Sequence, residues 1–250
     1  MLESRIAYAC VMIIAACVAT KIVARNQQSL GMTRAERLTL IASGFVGASF
    51  AAKLPFLLLG SDIGPWWTTW LGDGKTILWA LVGGYVGVEA GKAMLDIRIR
   101  TGDSFVVGIA VAIAVGRIGC LLFGCCFGTP TELPWGICFA TAEDGGMIAR
   151  HPTQLYESLF HLAFAVIAAY GTSRTWLTGD WMPVYLIAYC VYRFVSEFIR
   201  PELRLLAGLT FYQLSAIAIA LSMTTVLWQR HRQRTSNPIH SIHRSTGSID

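Results

Sequence analysis

The chain has 250 residues, a formal net charge of +5, 54% hydrophobic residues and only 14% charged ones. A soluble domain of this length would carry about a quarter charged residues. With a mean hydropathy of +0.54, this composition excludes a soluble enzyme or nucleic-acid binder and leaves an all-α integral membrane protein.

Seven apolar segments are long enough to span, near Ile6–Val23, Leu38–Leu59, Thr76–Leu95, Phe105–Phe123, Gln154–Tyr170, Met182–Ile199 and Thr210–Trp228. Each approaches the roughly 20 residues that a helix needs to cross about 30 Å of hydrocarbon. They predict seven transmembrane helices in one domain over residues 1–229, followed by a polar, disordered cytoplasmic tail over 230–250. The connections sort the basic residues, twelve Lys and Arg on one side and five on the other. The richer side is cytoplasmic, so the N-terminus lies outside and the C-terminus inside. Ile14-Ala15-Ala16-Cys17 has the small residues of a lipid-modified cleavage box. The positive charge follows the apolar run instead of preceding it, which suits an uncleaved anchor.

The central stretch, Gly116 to Gly136, reads GRIGCLLFGCCFGTPTELPWG. Arg117 lies about 9 Å inside the outer end of its span, and an arginine at that depth normally faces a bundle interior with a task. Under this topology several polar groups share the outer half of the bundle: Lys53, Arg193, Glu197 on the face of Arg193, and the run His151-Pro152-Thr153-Gln154-Leu155-Tyr156-Glu157. Tyr8 and Gln213 open the first and last spans there, and Gly83-Gly84 sit in the outer half of the third. Glu89 and Lys92, on the inner half, form a local ion pair. Three basic groups and several acceptors at one depth describe a pocket for an anionic lipid headgroup. Taken singly, each residue has a structural alternative. Arg117 and Arg193 can pair with Glu157 or Glu197, and Lys53 can snorkel. His151 can cap a helix, Tyr8 can belong to an interfacial belt, and the glycines can serve helix packing.

Seven cysteines are present. Cys10, Cys17 and Cys190 sit in apolar runs as small hydrophobes. Cys120, Cys125, Cys126 and Cys138 cluster near the outer face. A disulfide or inert thiol ranks first for them, a nucleophile second, and a metal third because no Cys-x-x-Cys or His pair accompanies them. No metal or cofactor is expected.

The run Gly116-Arg117-Ile118-Gly119 with Gly124, Gly128, Pro130-Thr131 and Leu133-Pro134-Trp135-Gly136 resembles the signature of bacterial prolipoprotein diacylglyceryl transferases. His151-Pro152 with Gln154-Leu155-Tyr156-Glu157 resembles that family's next block, and Arg193-Phe194, Glu197-Phe198 and Arg200-Pro201 the one after. Gln213, Ala52-Lys53-Leu54 and Tyr8 resemble residues of its last, second and first spans. The resemblance covers about residues 5 to 228. It implies a multi-pass protein of the bacterial inner membrane. Its activity would be transfer of diacylglyceryl from phosphatidylglycerol, or a similar anionic phospholipid, to the lipobox cysteine of a secreted prolipoprotein.

By this resemblance Arg117 and Arg193 hold the donor phosphate, and Glu197 orients Arg193 or Arg200. Tyr8 and His151 handle the acceptor thiol proton. Gly119, Cys120, Gly124, Gly128, Lys53, Gly83, Gly84, Gln154, Tyr156, Glu157, Arg200 and Gln213 line the substrate site, with Gly124 and Gly128 letting backbone approach the lipid. The sequence departs from the family at three points. Val82 stands at the usual histidine before the paired glycines, Cys120 at an asparagine, and Cys125 at an acidic residue. A related transferase with a different acceptor, or a non-catalytic lipid-binding or transport protein, are the alternatives.

Overall fold

The apolar runs form helices wherever the sequence supplies about five turns without a breaker, and the punctuation between them is local chemistry. A computed structural model describes residues 2–59 and 76–236. Lys75 and residues 237–250 of the expected tail lie outside the described residues. The helices are α1 (Leu2–Gln27), α2 (Arg34–Ala51), the short α3 (Leu54–Leu59), α4 (Ile77–Met94), α5 (Gly102–Phe123), α6 (Thr153–Ser173), α7 (Trp181–Ser196) and α8 (Phe211–Ser236).

Between α1 and α2 the chain turns through Gly31 at φ +66°. Thr33 then starts α2 with a capping box: its hydroxyl accepts from the Glu36 N–H at 3.2 Å, and the Glu36 carboxylate accepts from the Thr33 N–H at 2.7 Å. Two small antiparallel hairpins decorate the connections without changing the all-helical class. In the first, β1 (Ile137–Cys138) pairs with β2 (Ala149–Arg150). In the second, β3 (Arg204–Leu206) pairs with β4 (Leu209–Thr210).

Among the described residues, six helical stretches are long and apolar enough to cross a membrane: Ser4–Leu30, Arg34–Leu58, Gly102–Phe123, Thr153–Ser173, Trp181–Ile199 and Phe211–Ser236. Where the remaining span was expected, α4 is helical over 18 residues but lies outside this set. It carries Glu89 and Lys92 near its end, and these form the expected pair at 3.0 Å.

The helices pack mainly as α2 on α4, α1 on α5, α5 on α6 and α7 on α8. The α2–α4 seam is made of small residues. A Cβ on Gly83 would collide with the Gly47 carbonyl oxygen and the Ala51 side chain, and one on Gly87 with the Ser43 carbonyl oxygen. The common core lies where α4, α5, α6, α7 and α8 meet, around Val106, Ala110, Ala168, Tyr185, Leu186 and Ala216.

The polar tail does not begin as disorder. Helix α8 continues through Ser236, past the expected boundary at residue 229. Arg230 reaches Asp180 at 3.2 Å and the Tyr85 hydroxyl at 3.0 Å, and Arg234 reaches Asp180 at 2.9 Å. Arg100 adds a further contact to the same carboxylate at 3.4 Å. Docked partners keep this stretch ordered despite its polarity.

The seam predicts a sharp steric response. Gly83→Val forces α2 and α4 apart and costs about 1–3 kcal/mol, so the detergent-solubilised protein should melt at lower temperature. Gly84→Ala, on the same helix, is the control, because a Cβ there makes only ordinary contact at 3.5 Å from the Ala48 Cβ. An unchanged melting point for Gly83→Val would show that the seam does not bear load.

Candidate functional site

The site is built on α6, whose first two turns carry Gln154, Glu157 and His161 on one buried face. Glu157 is fully buried. A buried carboxylate is tolerated only when its lone pairs are used, and here all sides are taken. Arg117 Nη2 from α5 stands at 2.6 Å and Arg200 Nη2 at 3.0 Å from Glu157 Oε2. The Tyr189 hydroxyl of α7 donates to Oε1. One turn further along α6, His161 Nδ1 shares a 2.7 Å hydrogen bond with the Tyr185 hydroxyl. A second pair lies beside the first: Arg193 Nη2 is 2.9 Å from Glu197 Oε2, one turn along α7. The Arg193 guanidinium also stacks over the Tyr212 ring at 5.2 Å.

These groups border a cavity of 220 Å³ lined by Arg117, Arg193, Arg200, Tyr189, Tyr212 and Cys126, together with Glu202 and the first turn of α4. Arg117 Nε, Arg193 Nη1 and Arg200 Nε are buried without a hydrogen-bond partner among the described residues. Three guanidiniums face two buried carboxylates, Glu157 and Glu197. The unfilled arginine donors are of the kind that suit oxyanions, and the Glu202 carboxylate stands in the same wall. A larger cavity of 370 Å³ between α1, α2, α4 and α5 is apolar and contains no arginine. It cannot recognise a headgroup.

The remaining expected residues divide. Arg117, Arg193, Arg200, Glu157 and Glu197 come together as anticipated, but Arg200 pairs with Glu157, not with Glu197. Gln154 is fully buried and donates to the Cys125 carbonyl, which holds the loop after α5. Lys53 is buried in the turn between α2 and α3, one helical turn before Phe56 of the cavity wall.

Others are placed elsewhere. Gln213 is occupied by the fold: its side-chain oxygen accepts from Thr210 N–H at 3.0 Å, and Thr210 Oγ1 accepts from Gln213 N–H at 3.2 Å. This is a capping box that starts α8, and its amide nitrogen donates to the Phe194 carbonyl at 3.2 Å. Gly83 and Gly84 face α2, not the arginines. Gly119 lets α1 approach, since a Cβ there would stand 3.3 Å from Tyr8 Cδ2. Tyr8 itself packs on Phe123, with ring centroids 5.6 Å apart.

Gly128 brings protein backbone together, not lipid: a Cβ would strike the His151 and Thr153 side chains. Its N–H donates to the His151 carbonyl at 2.8 Å, while Thr129 N–H donates to the Ile199 carbonyl at 2.9 Å. Gly124, at φ +79°, ends α5. His151 is not in the cavity wall. Its Nδ1 lies 3.4 Å from the Tyr156 hydroxyl, which also accepts from Trp135 Nε1 at 2.7 Å. Sequence reasoning missed Tyr185, Tyr189 and His161. The signal for His161 was present, four residues after Glu157 on one helix face.

The three central thiols converge. The Sγ atoms of Cys120, Cys125 and Cys126 all lie within 4.8 Å of one another. All cysteines are free. Cys126 is drawn below the ordinary thiol range, first by its interactions with the Cys120 and Cys125 thiols and then, against the effect of burial, by the Arg117 and Arg200 cations.

The description of prolipoprotein diacylglyceryl transferases matches residues 5–229. A phosphatidylglycerol–prolipoprotein diacylglyceryl transferase of Clostridium tetani is 33% identical over 169 residues, covering 64% of this chain and 67% of that protein. A second such enzyme, from Clostridium perfringens, is 33% identical over 144 residues, 55% of each chain. One from Wolinella succinogenes is 39% identical over 130 residues, 49% of this chain and 45% of that protein. The matched segments therefore span about half to two thirds of these relatives. With residues 5–229 matched, the chain belongs to the prolipoprotein diacylglyceryl transferase family.

Proposed function

We propose that the chain transfers a diacylglyceryl group from phosphatidylglycerol to the lipobox cysteine thiol of a prolipoprotein, at the outer face of the bacterial inner membrane. The observation that carries this reading is the 220 Å³ cavity bordered by Arg117, Arg193 and Arg200, each with an unfilled buried donor. A phospholipid phosphate bound there makes charge-assisted hydrogen bonds that strengthen as charge collects on the departing glycerol phosphate. The thiol sulfur forms a bond to the glyceryl carbon, the carbon–oxygen bond to phosphate breaks, and its electron pair leaves with the glycerol phosphate. Arg117 and Arg193 hold the phosphate, and Glu157 and Glu197 keep the guanidiniums in position. Tyr8 and His151, neither of which lines the cavity, are the two candidates for the acceptor proton, and Tyr8 stands beside the thiols and Arg117.

The membrane arrangement in this reading has seven spans, with α4 as the seventh. The N-terminus lies outside and the Asp180–Arg230–Arg234 cluster on the cytoplasmic side. The basic-residue asymmetry supports this orientation. Reporter fusions after residue 143 and at the C-terminus should read periplasmic and cytoplasmic respectively. The reverse pattern would remove the topology.

Transfer is measured with purified protein, phosphatidylglycerol micelles and a peptide with a lipobox cysteine. Arg117→Ala and Arg193→Ala should each lower transfer by about 100-fold or more while the protein still inserts. Retained turnover in either variant would take the phosphate-holding role from that arginine. Glu157→Gln leaves two buried guanidiniums short of their counter-charge. A loss of about 3–5 kcal/mol is expected, read as reduced folded yield. A normal yield and melting point would show that Glu157 is not the anchor of the cluster.

A second reading, lipid binding without transfer, is favoured by one observation: among the described residues no histidine lines the cavity. It predicts phospholipid retention by the wild type with no mass gain on the peptide.

A further inference from the structure

The proposed transfer does not explain why three thiols meet at the cavity edge. The meeting is built by the end of α5. Cys125 N–H donates to the Cys120 carbonyl at 3.1 Å and Gly124 N–H to the Leu121 carbonyl at 3.1 Å, around Gly124 in the left-handed region. This is a Schellman motif, which stacks the side chain two residues past the helix end on the one three residues inside it. That contact is usually apolar; here it is Cys125 on Cys120. The next residue, Cys126, holds φ +64°, uncommon for a side-chain-bearing residue. The turn is pinned from α6, where Thr153 Oγ1 donates to the Cys126 carbonyl at 2.6 Å and Gln154 to the Cys125 carbonyl. Cys126 Sγ stands 3.7 Å from Cys125 Sγ. Sulfur ligands at about 2.3 Å from a tetrahedral ion stand about 3.8 Å apart.

We propose that Cys120, Cys125 and Cys126 form a three-thiolate site for a thiophilic divalent cation of the zinc class, with its fourth position opening toward the arginine-lined cavity. Three thiolates around a dication carry one net negative charge, so Arg117 and Arg200 do not repel the complex as they would a bare ion. Three protein ligands leave the fourth tetrahedral position for an exogenous group. Of the three cysteines, Cys126 lines the cavity. A thiol entering there binds as thiolate and gives its proton to solvent. In this last respect the inference rests on the proposed transfer: the acceptor cysteine is that thiol, held deprotonated beside the phospholipid. The sulfur then forms its bond to the glyceryl carbon as the carbon–oxygen bond to phosphate breaks.

The test uses full-length protein in detergent with Zn²⁺ and Co²⁺ as probes, and its first readout is independent of transfer. The wild type, stripped by chelator and reloaded, should hold about one ion per chain, and the Co²⁺ form should show the intense near-ultraviolet sulfur-to-metal absorption of thiolate ligation. Cys120→Ser, Cys125→Ser and Cys126→Ser should each cut ion retention at least about tenfold, whereas Cys138→Ser should keep it. Three outcomes overturn the site: no stoichiometric ion in the wild type, a disulfide among the three found by mass after alkylation, or ion retained in the triple serine variant. A lipobox peptide should shift the Co²⁺ spectrum and its Cys→Ser counterpart should not. An unchanged spectrum removes the open position. Transfer that persists in metal-free protein sinks the acceptor role but not the transferase reading. Bound metal without transfer sinks the transferase reading but not the site.

Discussion

One buried carboxylate governs the half of this molecule that holds the arginine cluster. Glu157 is fully enclosed, and at the distances found to Arg117 and Arg200 a charge pair in a poorly polarisable interior is far stronger than at a surface. The cost of stripping water from that charge is recovered only if both guanidiniums and the Tyr189 hydroxyl arrive together. Three separate parts of the chain must therefore be in register: α5 for Arg117, α7 for Tyr189, and the segment after α7 for Arg200. The cavity follows from that meeting, because guanidiniums that spend part of their donor set on Glu157 keep other donors unfilled.

The loop after α5 is fixed by the same region. It is stitched on one side to the start of α6, through Gly128 and His151, and on the other to Ile199 at the end of α7. Such a segment would be mobile if it merely joined two helices. Here its backbone is paired, and the small residues in it serve approach between protein segments. The glycines of the central stretch allow these close approaches between protein segments.

Much of this was legible from residue types and spacing. The helices follow the apolar runs closely, and the depth argument brought Arg117, Arg193, Glu157 and Glu197 to one place, while Arg200 came from the family resemblance. The partners within the cluster were not legible, because charge pairing between helices depends on rotation about each helix axis, which depth alone does not give. Gln213 was misread for a related reason. A glutamine at a helix start reads equally well as a ligand group or as half of a capping box, and only Thr210 at the cap position decides it. Gly83 and Gly84 share the depth of the pocket but face the other way. The thiol trio escaped spacing rules because its geometry comes from a helix ending, where residues five apart are stacked by the reversal of backbone handedness at Gly124. Helix α8 outran its apolar stretch because arginines near a helix C-terminus found the Asp180 carboxylate, an interaction with a residue far off in sequence.

The Asp180 cluster has a mechanical consequence. Asp180 immediately precedes α7, and its neighbour Trp181 is held by its N–H to the Asp103 carboxylate at 3.1 Å. Arg230 and Arg234 fasten the same point to the far end of α8. From there α7 rises at 1.5 Å per residue, so Arg193 stands about 20 Å along the helix from the clamp. The height of Tyr189 and Arg193 beside Glu157 is thus counted from a point that the far end of α8 holds.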